Sequence, residues 1–168
     1  MISEALQQIL LKHQGRGALL DTNLLLLLFV GVADRKLITS FKRTHSLGFS
    51  ANDFELLRRI NRFLGGKIFT TPHILAETSN FIFQLGKPSQ QSVLEEVADM
   101  IVDFSEHYTV ACELIKRNEF IQFGLTDTGI LETAKNGGLI ISMDFDLVAY
   151  ANKSNLEAVN FNHIRRLS

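Results

Sequence analysis

Residues Arg16–Gly31, "RGALLDTNLLLLLFVG", form the most apolar run in the chain and decide how the rest is read. "GALL" has the length and apolarity of a short buried strand, ending at Asp21. Leu24 to Asp34 continues as a largely buried helix. Between the two lie Asp21, Thr22 and Asn23, polar residues inside a segment otherwise committed to burial. A buried strand that turns directly into a buried helix is the first half of a β–α–β unit. Such units build parallel sheets covered on both faces.

The sequence on either side continues the alternation. Before it, "SEALQQILLKH" reads as a short amphipathic helix capped by Ser3. After it, residues 35–50 hold no steady period and read as irregular. Ser50 or Asn52 then caps a helix with Phe54, Leu57, Ile60 and Leu64 at helical spacing, stopped by Gly65-Gly66. "KIFT" (67–70) is a second strand, and Thr71-Pro72 starts a helix running to about Gly86. Residues 88–107 read as a further helix, and "YTVAC" (108–112) fits helix or strand. Thr126 caps a compact helix, "TDTGILETAKNGG", that stops at Gly137-Gly138. "LIIS" (139–142) is a buried strand, "FDLVAYANK" (145–153) a helix and "LEAVNF" (156–161) a last strand. The expected fold is an α/β domain spanning residues 1–168 with a mostly parallel sheet.

Composition narrows the function. At 168 residues and 46% hydrophobic, the chain suits one domain with a sizeable core. Seventeen Lys+Arg against eighteen Asp+Glu leave a net charge of −1, so a nucleic-acid partner would need a local basic patch. Cys112 is the sole cysteine, which excludes intrachain disulfides and a Cys-based zinc cluster. The N-terminus lacks the features of a signal peptide, and the longest apolar run is about half the roughly 20 residues of a membrane-spanning helix. The expectation is a soluble, cytoplasmic protein with no membrane partner.

Four acids then need explanation. Asp21 and Asp144 each follow a strand, and ligands of open parallel sheets gather beyond the carboxyl ends of strands. Either one is equally explained as a helix cap. Asp127 shares a helical face with Ile130, Leu131 and Ala134, so it points along the core-facing stripe. Helix-dipole stabilisation would be served as well by an outward acid. Glu77 falls roughly 100° from the centre of its helix's apolar face, on the border, with Asn80 further along the same side. Asp146 either joins Asp144 or sits in a helix first turn.

If these acids converge, two carboxylates about 5 Å apart repel by roughly 3 kcal/mol at an effective dielectric near 20. The repulsion is relieved by protonation or by a hard cation, and oxygen-only ligands select Mg²⁺ or Mn²⁺. The five histidines show no zinc-binding pairing. A cation held by a few carboxylates suits phosphodiester hydrolysis, with a spare acid orienting or deprotonating water.

"LLDTN", "LAETSN", "LTDTGILETA" and "LIISMDFDL", in this order, make the chain resemble the PIN-domain family of metal-dependent nucleases. Asp21, Glu77, Asp127 and Asp144 match the family's four acidic positions, Asn23 its accessory amide and Ser142 the hydroxyl before the last acid. Asp146 matches a further acid that many members carry. The match runs over roughly residues 17–160. The resemblance implies a three-layer α/β/α fold with a central sheet of about five parallel strands. It also implies Mg²⁺/Mn²⁺-dependent cleavage of single-stranded RNA. In this assignment Asp21, Asp127, Asp144 and Asp146 surround the metal, Glu77 supports it or positions water, and Asn23, Ser142 and Asn80 are accessory. Many small bacterial members are toxins neutralised by an antitoxin, often as dimers, so an antitoxin and a second copy of the chain are the implied partners. Residues 35–65 exceed the most compact members and read as an insertion.

For RNA contact, the densest basic stretches supply Lys42 and Arg43, then Arg58, Arg59 and Arg62. Arg58 and Arg62 share a helical face and form either a phosphate-tracking strip beside the acids or a solvated surface. Rival readings are a phosphatase of the haloacid-dehalogenase type, a phosphoacceptor receiver, a PIN-like scaffold that binds without cutting, and a structure-specific DNA nuclease. The first wants an acid where Asn23 stands, and the second wants paired acids near the first strand. The scaffold is disfavoured by the presence of all four acids.

Overall fold

A computed structural model describes residues 4–166; the proposed cap Ser3 lies outside the described residues. Within it, β1 (Ala18–Leu20) runs into α2 (Thr22–Ala33), after α1 (Glu4–Lys12). Leu24 to Val30 are all buried, because α2 is apolar on every side and is enclosed on every side. It packs against α5 (Ala51–Phe63), α6 (Pro72–Ile82) and α7 (Lys87–Ile101).

Five short parallel strands form the sheet in the order β3-β2-β1-β4-β5, flanked by helices in an α/β/α arrangement. β2 is Ile68–Thr70, β3 Ser105–Glu106, β4 Leu139–Ser142 and β5 Ala158–Asn160. β1 is central, its Ala18 and Leu19 in register with Ile68 and Phe69 of β2 and with Leu139 and Ile140 of β4. From β1 the chain builds outward to β2 and β3, then crosses back to place β4 on the other side of β1. The strand order therefore reverses between β1 and β4, and the crevice above that pair is where open α/β sheets bind ligands.

The caps follow local chemistry. Ser50 and Asp53 form a reciprocal capping box on α5, and Thr71 caps α6 with Pro72 in its first turn. α10 (Phe145–Lys153) occupies the span expected from its sequence.

Several regions differ from the sequence expectation. Residues 35–50 are not irregular: α3 (Leu37–Ser40) and α4 (Lys42–Ser46) bury Ile38, Phe41 and Thr44. Helices this short show too few turns for a period to be legible. The helix expected over 88–107 stops at Ile101, and Ser105–Glu106 pairs with Phe69–Thr70 as an edge strand. A sheet edge captured a segment with no strand pattern of its own. Thr126 caps nothing; it lies inside α9 (Asn118–Ala134), which follows the short α8 (Ala111–Leu114) over the ambiguous "YTVAC" region. α9 breaks at Gly124 (φ 77°, ψ −175°), a conformation open to glycine alone at no steric cost, and Thr128 Oγ1 returns a 2.7 Å hydrogen bond to the Gly124 carbonyl. A last helix, α11 (Phe161–Arg165), follows β5.

Candidate functional site

Asp21 ends β1 and caps α2, but the cap uses only one of its oxygens. Oδ1 accepts from Leu24 N at 2.8 Å, while Oδ2 accepts from Ser142 Oγ at 2.6 Å and Met143 N at 2.7 Å. The side chain thus ties the end of β1 to the end of β4 at the reversal point. Asp21 is buried, and burial pushes its carboxyl above the usual range. The bonds from Ser142, Leu24 and Met143 oppose that rise, and the charge of Asp144 adds to it.

Asp144 caps α10 through Oδ1, which accepts from Asp146 N (2.7 Å) and Leu147 N (3.0 Å). Its own N–H donates to Ser142 Oγ at 2.9 Å, so the Ser142 hydroxyl links both acids. From the other side, Asn160 Nδ2 and Asn162 Nδ2 each donate to the Met143 carbonyl at 3.1 Å. The turn carrying Asp144 is thereby held in place. Removing the Ser142 hydroxyl should expose the consequence of this linkage. Ser142→Ala leaves buried Asp21 one donor short, with an expected loss of about 1.5–3 kcal/mol in urea denaturation; a loss below about 0.5 kcal/mol would contradict the assigned role.

Glu77, on α6, turns toward the start of α2, where Thr22 Oγ1 donates to its Oε2 at 3.0 Å. Asp127, on α9, is half-buried, and its side chain makes no hydrogen bond among the described residues. Its pKa is pushed up to about 7, first by burial and then by the charges of Asp21, Asp144 and Glu77. Acids from three other elements, Asp21, Asp144 and Glu77, therefore act on Asp127, and Asp144 acts on Asp21 as well. Among the described residues, however, no three His, Cys, Asp or Glu side chains are arranged as a ready-made metal shell.

The remaining candidates divide. Asn23 Oδ1 accepts from Arg43 Nη2 at 2.9 Å, at the rim of the acids. Asp146 is exposed, and its charge is not among those shifting Asp127; Asn80 is exposed as well. Arg58 and Arg62 line a cleft with Val32, Gly66, Ile68 and Phe104, at the end of the sheet where strands begin. They do not stand beside the acids, because α5 runs back toward the start of β2. Arg59 faces Asp53 and Arg165 across a different cleft, and exposed Lys42 lines a third with Gln84 and Gly86.

Sequence reasoning missed Thr22, Asn160 and Asn162 as supports. Thr22 was legible as the middle of "DTN", and "NFN" follows the last strand, at the same sheet end where ligands gather. Comparison with protein-family models, curated proteins and solved structures returns no match.

Proposed function

We propose that this chain is a Mg²⁺- or Mn²⁺-dependent endoribonuclease acting on single-stranded RNA in the cytoplasm. The observation that carries the reading is the convergence on Asp127 of the charges of Asp21, Asp144 and Glu77, with Asp21 and Asp144 tied together through Ser142 at the β1–β4 crevice. The donor set fits such a cation: its charged groups are all carboxylates, and the one under the strongest like-charge pressure, Asp127, has no side-chain hydrogen bond among the described residues. A bound cation would neutralise phosphate charge and acidify a water.

In this reading Asp21, Asp127 and Asp144 hold the cation. Asp21 is fixed by three donors, and Asp144 keeps Oδ2 free of the cap. Glu77, oriented by Thr22, positions water or takes its proton. Asn23 orients an acid or a substrate oxygen.

The absence of a closed three-ligand group among the described residues favours one rival, a scaffold that binds RNA without cutting. Incubation with single-stranded RNA separates the two. Cleavage should appear with Mn²⁺ and vanish with EDTA. EDTA-insensitive cleavage overturns the proposal, and tight binding without any cleavage establishes the scaffold instead.

A further inference from the structure

Arg43 stands at the rim of the acids without bonding to any of them. Its Nη2 donates to Asn23, and its guanidinium carbon lies 4.1 Å over the Phe81 ring. Asn23 is two residues beyond Asp21, and Phe81 is one helical turn beyond Glu77. The two contacts therefore carry the cation to the edge between α2 and α6 from which Asp21 and Glu77 arise.

Arg35, Arg58, Arg117 and Arg165 each pair with a carboxylate, whereas Arg43 forms no ion pair among the described residues. Its Nε is enclosed with no hydrogen-bond partner. A partly buried guanidinium held by a neutral amide and an aromatic face retains its full charge for an incoming anion. With Nε enclosed, it is the outer Nη edge that suits a phosphate oxygen, and the contacts with Asn23 and Phe81 reduce the rotamer freedom that binding would otherwise remove.

We propose that Arg43 binds a phosphate of the single-stranded RNA substrate beside the four acids, an inference that rests on the nuclease reading. It supplies locally the positive charge that a chain of net charge −1 lacks in bulk. Arg43 also places the attraction for a polyanion at the rim of an acidic centre.

The test measures binding of a labelled single-stranded RNA across a series of KCl concentrations with Ca²⁺ present, and cleavage with Mn²⁺. Arg43→Gln keeps a planar polar group on the same stem while removing the charge. It should weaken binding about tenfold or more. It should also flatten the slope of log affinity against log salt by about 0.7, the contribution of one phosphate contact on a single strand. The loss should fall on KM rather than kcat. Arg43→Lys should keep the wild-type slope with weaker binding, and it decides the matter if the glutamine variant melts early. A wild-type slope and KM in Arg43→Gln, or a flattened slope in Arg43→Lys, overturns the role of Arg43. Wild-type protein that binds RNA without cutting overturns only the nuclease reading, since the salt slope still judges Arg43. Wild-type protein that does not bind RNA overturns both.

Discussion

Asp127→Asn is expected to make the protein more stable at pH 8 while removing the metal-dependent cleavage proposed for it. In the folded chain Asp127 holds its proton up to about pH 7, against an ordinary value of 3.8. Between those values the unfolded chain has already released a proton that the folded chain still binds. Stability therefore falls as pH rises through this window. The full shift corresponds to about 4 kcal/mol, and solvent screening at a half-buried carboxylate brings the expected gain from the neutral amide to about 1–3 kcal/mol. For a chain of this size that is a rise in Tm of several degrees. The advantage should vanish below about pH 4, where wild-type Asp127 is protonated in both states.

The same substitution removes one of the carboxylates assigned to the cation, so cleavage should fall by at least about a hundredfold. Mn²⁺ should raise the Tm of the wild type at pH 8 and do so less in the variant, by mass action on the folded state. Melting curves across pH, with and without Mn²⁺, read all of this. A variant less stable than wild type at pH 8 would contradict the burial and like-charge pressure assigned to Asp127, and one that cuts RNA at the wild-type rate would contradict its place at the cation. A site that gains stability on losing its acid would be one in which function, not folding, accounts for the acid.

Gly31→Val should be among the most destabilising single substitutions in the chain. Gly31 lies in buried α2, and a Cβ there would stand 2.6 Å from Cε2 and 2.7 Å from Cγ of Phe54. Phe54 is itself fully buried, with the guanidinium groups of Arg35 and Arg58 at 5.7 and 5.6 Å from its ring centroid. Because Cγ lies at the root of the side chain, a change of ring torsion does not clear the clash, and α5 must move away from α2. Alanine would gain about 1 kcal/mol of helix propensity and lose more to overpacking, while valine adds two methyl groups to the same overlap. The expected losses are about 2 kcal/mol for Gly31→Ala and about 4 kcal/mol or more for Gly31→Val, read from urea midpoints. Phe54→Leu should recover part of the loss in the Gly31→Ala background, since the two positions are in contact. An alanine variant as stable as wild type would show that the helices separate at little cost.

What was legible in the sequence follows the range of the interactions involved. Within "RGALLDTNLLLLLFVG", burial of strand and helix depends only on apolarity, and β1 and α2 lie where that run places them. Caps are equally local: Ser50 with Asp53, and Thr71 with Pro72, act over three residues and could be read directly. Asp127 stood out because an acid on an apolar stripe contradicts its own helix. By contrast, α3 and α4 are shorter than the period that would betray them, and β3 is a strand only because Phe69 and Thr70 lie beside it.

The sequence by itself determined the α/β class, the ends of most elements, and that Asp127 is an acid its own helix does not explain. Only the tertiary structure decided which other acids act on Asp127. Strand order cannot be read from a linear chain, because it depends on pairings between segments more than a hundred residues apart, such as Leu19 with Ile140. Placing β4 against β1 brings Ser142 onto Asp21, lets Asp144 and Glu77 act on Asp127, and leaves Arg58 and Arg62 at the far end of the sheet. It also turns Arg43, one cation in a basic run, into the one bonded to Asn23, since that contact exists only after α4 folds back over the start of α2.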